Sequence, residues 1–262
     1  MESRNPVFSN NEGFRRGGYA TFSTPSPTEL QGMYEAPSAT SLQTGRMTLD
    51  DVVVRTAMIF GVLLTAAAAM YFVVKPGLFL VLGAMVVGLV LGLVISFSKT
   101  VRPALILTYG AVEGVFVGGI SYWYAQAFGN QLVPQAVLGT MAAFATMLVL
   151  YKTGVIRNSP RFQKMMFIAI AGYLVFGLVN LVIALTTGNS VYNMGLLGIL
   201  VSGLGVTLAS LSLVLDFDFI EQGVRNGLPQ QYAWLGAFGL VVTLIWLYLE
   251  ILRLLAILQS ND

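Results

Sequence analysis

The chain has no cysteine and no histidine in its 262 residues. Without cysteine it can form no disulfide, no thiolate metal site and no cysteine nucleophile. Without histidine it lacks the commonest metal ligand and the one side chain that ordinarily titrates between pH 5 and 8. Any proton chemistry must therefore run on carboxylates. Charge of either sign is scarce: Asp, Glu, Lys and Arg make up 10% of the residues, against about 25% in an ordinary soluble domain. There is no His-x-x-x-His, no Gly-x-Ser-x-Gly and no Cys-based motif. These absences set aside most hydrolase and zinc chemistry, so no enzymatic activity, cofactor or firm metal site is expected. A net charge of +2, with the bases placed beside apolar segments instead of on one face, gives no reason to expect nucleic acid as a partner.

Apolar sequence is what the chain has in abundance, at 56% of residues. Leu78 to Phe97 is a single uncharged run of about 20 residues, enough to cross a hydrocarbon core roughly 30 Å thick. Seven such segments follow one another: Val52–Val74, Leu78–Phe97, Pro103–Phe128, Pro134–Leu150, Met165–Thr187, Val191–Phe219 and Tyr232–Leu258. In lipid every backbone polar group needs an internal partner, so these segments are read as helices. The short connections between them set successive helices antiparallel. The fold class is therefore an all-α membrane protein, a seven-helix bundle over residues 47–262 whose surroundings are the lipid bilayer. Residues 1–46 differ in kind. They are rich in Ser, Asn, Gly and Pro and cannot bury enough apolar surface to offset ordering entropy. They are expected to form a disordered polar tail, and they contain no apolar core of the signal-peptide kind.

The bases orient the bundle. Arg4, Arg15, Arg16, Arg46, Arg55, Lys99, Arg102, Lys152, Arg157, Arg161, Lys164 and Arg225 all fall on one side of this topology. Lys75 and Arg253 belong to the other side. The N-terminus is thus expected in the cytoplasm and the C-terminus on the far face.

Acids inside such segments are costly and mark candidate functional positions. Glu113 lies about 10 residues, roughly 15 Å, into the third segment. It sits in Gly110–Gly118, where glycines recur every fourth residue and allow close helix approach. It is read either as an acid hydrogen-bonded between helices or as a protonatable group on an ion path. Asp216, Asp218 and Glu221 cluster at the tail of the sixth segment, where the helix dipole disfavours acids. Asp216 and Asp218 are about 200° apart around a helix, so at most one of them points inward. Glu250 precedes Arg253 by three residues, the spacing of an ion pair on one helix surface.

The order of these features resembles the Bax inhibitor or YccA-like group, also called the TMBIM family. The residues that carry the likeness are L-V-L-D-F-D-F-I near Asp216, the closing L-Y-L-E-I-L-R-L-L-A-I-L, and Glu113-Gly114 in the third segment. The long polar tail followed by M-T-L-D-D-V looks like a bacterial branch, which implies the bacterial plasma membrane. The resemblance implies six helices around a central seventh, and a pH-sensitive calcium leak. It also implies two aspartates, from the sixth and seventh helices, that share a proton at the cytoplasmic mouth. The first maps to Asp216, with Asp218 as the slipped alternative. For the second, letter matching selects Glu250, whereas matching from the C-terminus of the helix selects Thr243. Depth favours Thr243: Glu250 is roughly 12 Å from the outer end of its helix, Thr243 roughly 23 Å and Asp216 roughly 33 Å. Asp216 and Asp218 would then see only a transient calcium, and Arg102 is a candidate to pair with the cluster as a gate. The competing reading is a regulatory or interaction protein without transport, whose acids only organise helix packing. The two readings differ in whether Glu113, Glu250 and one of Asp216 or Asp218 face a common interior cavity.

Overall fold

A computed structural model describes residues 26–28, 31, 45–193 and 195–260. The expected tail therefore lies almost wholly outside the described residues. Residues 44–262 form one unit, built from α1 (Leu49–Ala69), α2 (Leu78–Phe97), α3 (Pro103–Phe128), α4 (Leu132–Lys152), α5 (Pro160–Thr187), α6 (Leu196–Arg225) and α7 (Ala233–Ser260). All seven are long and apolar enough to cross a membrane. Among the described residues the one strand-like feature is an isolated bridge between Arg46 and Pro229. The chain is an integral multi-pass membrane protein.

α7 is the central helix. Of its most apolar stretch 67% is buried, against 17% for α1, α2 and α5, and it packs on α1, α3, α4 and α6. Ala237, Val241, Leu247 and Leu252 are completely enclosed along it. The surrounding helices keep an apolar outer face, as Phe79, Phe97 and Phe167 show, because there they meet acyl chains instead of water. In lipid no hydrophobic force draws helices together, so close packing must do it. The glycines of α3 supply that packing. Gly110, Gly114 and Gly118 lie against the Ile59 backbone, the Leu63 carbonyl and the Ala67 backbone of α1. The neighbouring Gly119 turns instead to Val81 on α2.

Helix ends differ from the sequence expectation where polar groups allow continuation. α1 starts three residues before Val52, because Thr48 and Asp51 form a reciprocal cap. The Asp51 amide donates to the Thr48 hydroxyl at 3.1 Å, and the Thr48 amide donates to the Asp51 carboxylate at 3.1 Å. It ends in a π-helical turn, Met70–Val74, before Lys75 adopts a left-handed conformation ahead of Pro76. α5 starts at Pro160 instead of Met165, capped by Ser159, so Arg161 and Lys164 lie on its first turns instead of in a loop. α6 runs on to Arg225, past Phe219. Glu221, beyond the expected end, therefore joins Asp216 and Asp218 within the helix.

The entry to α1 is tied to the turn before α7. The Met47 amide donates to the Leu228 carbonyl at 2.7 Å, and the Gln230 amide to the Gly45 carbonyl at 2.8 Å. The Gln230 side chain donates to Asp51 at 2.7 Å. Arg55 donates to the Gln230 carbonyl and lies 5.5 Å from the centre of the Trp234 ring. This polar seam fixes α7 against α1 at the end of the bundle that holds most of the bases.

A candidate ion-binding cavity between α2, α3, α6 and α7

Three polar residues from three helices line one cavity of about 580 Å³: Glu113 from α3, Asp216 from α6 and Thr243 from α7. α2 supplies the fourth wall. The period of the helix accounts for the arrangement. Gly239 and Thr243 are one turn apart on α7, and both line the cavity. The bare backbone at Gly239 lets the Asp216 carboxylate approach α7, leaving 3.5 Å to where a Cβ would stand. The Thr243 side chain lines the cavity beside the Asp216 carboxyl. The second oxygen of that carboxyl, Oδ2, is buried and has no hydrogen-bond partner.

Glu113 sits higher in the same cavity. Tyr109, one turn earlier on α3, lines the cavity with it. The Tyr109 ring stacks edge-on against Phe238 of α7, with centroids 5.0 Å apart. Gly88 on α2 leaves the space that Glu113 occupies, since a Cβ there would stand 2.6 Å from Oε1. Tyr109 thus shares the cavity with both acids and packs on α7, the helix that carries Thr243. Sequence reading passed over Tyr109, although its i−4 spacing from Glu113 was a usable signal. It also passed over Gly88, Gly92 and Ser96, which repeat on α2 the four-residue spacing seen on α3.

The remaining acids go elsewhere. Asp218 points away from Asp216, as the 200° offset requires, and accepts from Asn158 at 2.6 Å and from Gln222. Glu221 accepts from Tyr151 and pairs with Arg225 one turn on. The two aspartates, for which the sequence suggested no more than a transient calcium, are directed by the helix to different surroundings. Among the described residues no group of three or more acids could hold a metal ion, and calcium takes about 6–8 oxygens in a stable site. Arg102 caps α3 from an exposed position. Among the described residues no salt bridge joins it to any acid of the cluster, so the expected gate pairing is not formed.

Glu250 does not line the cavity. It is buried between α6 and α7, accepts from Trp246 Nε1 at 3.1 Å and pairs with Arg253 at 2.9 Å. Gly205 of α6 makes room for its carboxylate, which a Cβ there would approach to 2.6 Å. Arg253 in turn lies 4.4 Å from the centre of the Tyr192 ring. Glu250 is thus a neutralised partner at its own depth, and Thr243 is the α7 residue that meets Asp216. Chemically the cavity offers two carboxylates and three hydroxyls, of Ser96, Tyr109 and Thr243, with no base among its lining residues. Such a set attracts a cation or holds a proton.

Comparison with known sequences gives one match and one blank. A family model described as Bax inhibitor 1 like matches residues 5–260. No curated protein matches the chain.

Proposed function

The chain belongs to the Bax inhibitor 1 like family, and from that premise we propose that it is a cation leak gated by protonation at Asp216. Calcium is the expected ion, since carboxylate and hydroxyl oxygens suit a hard cation. The observation that carries this reading is the shared cavity: Glu113 and Asp216 reach it from separate helices, and one Asp216 oxygen has no partner. Charge on Asp216 would attract a cation to the mouth, and protonation would remove that attraction. With Thr243 opposite, Asp216 has no second aspartate with which to share its proton, so this copy gates on one carboxylate at that depth. Too few ligands converge there to hold calcium firmly, which suits passage better than storage. The bases gathered at the start of α1 and in the α2–α3 and α4–α5 connections support an N-terminus in the cytoplasm of a bacterial cell. The test is calcium flux into proteoliposomes at pH 6 and pH 8. Wild-type protein is expected to conduct more at pH 8, and Asp216→Asn to lose the difference. Equal wild-type flux at both pH values would refute the proposal.

A second reading, a regulatory protein without transport, draws on Glu250, Asp218 and Glu221. All three are satisfied by neighbours, as purely structural acids would be. A chain of that kind would show no flux above protein-free vesicles.

A further inference from the structure

α2 packs on α3 and leaves a stretch of the central helix uncovered. Val242 of α7 is 36% exposed, and Leu89 and Leu93 on the facing edge of α2 are 63% and 49% exposed. All three line the same cavity as Glu113 and Asp216. In a bilayer, apolar surface at this depth meets acyl chains, because water is absent there. The cavity therefore opens sideways into hydrocarbon. Its volume of about 580 Å³ falls within the range of roughly 300–1,000 Å³ typical of small-molecule sites.

The lining fixes what fits. Its walls are mostly aliphatic and aromatic, and its charged groups are two acids with no lysine or arginine beside them. An anion would meet like charge. A plain hydrocarbon chain would leave the two lining carboxylates without a partner of opposite charge. A small inorganic cation would leave the apolar walls empty. An elongated apolar body with one ammonium head satisfies all three features, because the head supplies both positive charge and hydrogen-bond donors to the carboxylates that line the cavity. We propose that this cavity binds lipophilic ammonium compounds that enter from the bilayer between α2 and α7. The ammonium head lies at Asp216 or Glu113, and the hydrocarbon lies along Leu89 and Leu93. The claim concerns binding alone and holds whether or not the protein conducts ions.

The experiment uses the full chain in lipid nanodiscs with three photoactivatable probes of equal chain length: a dodecylammonium, a dodecyl sulfate and a dodecanol, each carrying a diazirine. After irradiation, labelled peptides are mapped by mass spectrometry. The ammonium probe is expected to label α2 and α7 saturably, with the sulfate and the alcohol labelling them weakly. Glu113→Gln with Asp216→Asn should lower ammonium labelling about tenfold, the factor that losing one charge-assisted contact amounts to. Met85→Trp narrows the lipid-facing mouth without altering either acid. It should also reduce labelling, and it carries the test alone if the double variant does not fold. Equal labelling by all three probes would overturn the proposal by reducing the site to ordinary lipid contact. Labelling unchanged in the variants, or confined to other helices, would overturn it as well.

Discussion

Replacing Gly114 with alanine tests whether the α1–α3 contact is as close as the structure shows. A Cβ at Gly114 would stand 2.7 Å from the Ala66 Cβ and closer still to the Leu63 carbonyl oxygen. Carbon–carbon contact wants about 3.5–4.0 Å, so α1 must retreat by about 1 Å. The obstacle includes backbone, which cannot swing aside as a long side chain would. Overpacking of this kind costs about 1–3 kcal/mol. Alanine returns about 0.8–1 kcal/mol of helix propensity over glycine. Gly83→Ala is the matched control, because nothing lies within 4 Å of a Cβ there. The propensity term is common to both variants and cancels in their difference. Gly114→Ala should therefore be less stable than Gly83→Ala by about 1–3 kcal/mol. Thermal unfolding in micelles, followed by the fluorescence of the three tryptophans, measures that difference. Equal midpoints for the two variants would refute the packing argument, since they would mean that α1 and α3 do not meet at their backbones.

Three further substitutions probe the outer half of α7. Arg253→Met leaves the enclosed Glu250 carboxylate without its cation and should destabilise the protein by about 3–5 kcal/mol. Glu250→Gln should cost less, because the Arg253 side chain keeps 29% of its surface exposed and can turn to solvent; chemical denaturation of both variants checks the order. Tyr248→Phe removes the 2.7 Å hydrogen bond between the Tyr248 hydroxyl and Ser121 Oγ on α3. It should cost about 1 kcal/mol, measured by the same unfolding assay.

The spans were legible because lipid imposes a simple rule on sequence. α2 and α3 begin and end at the residues the apolar runs indicate. At the starts of α1 and α5 and the end of α6, the edge moved outward because a polar residue there had a partner available. Thr48 and Asp51 cap each other, Ser159 caps α5, and Glu221 pairs with Arg225 on the last turns of α6. An apolar-run criterion reads such residues as loop. The candidate site was legible in part for a related reason. Period and depth identify Thr243 as the residue opposite Asp216, because both follow from 1.5 Å of rise per residue. The inclusion of Glu113 in that cavity, and the exclusion of Glu250, depend on which helix packs beside which. No local pattern states that. Arg102 forms no salt bridge with the cluster for the same cause: it starts the right helix on the basic side, but it is exposed there. Gly88 and Tyr109 carried a signal in their spacing, yet their importance rests on the Glu113 carboxylate lying between α2 and α3.

The two aspartates of α6 face different surroundings: Asp216 lines the cavity, and Asp218 accepts from Asn158 in the α4–α5 connection. Calcium flux in proteoliposomes between pH 6 and pH 8, with Asp216→Asn and Asp218→Asn measured side by side, tests that division directly. The account predicts a flat pH profile for Asp216→Asn and a wild-type profile for Asp218→Asn. A flat profile for Asp218→Asn, with Asp216→Asn retaining the wild-type response, would contradict it.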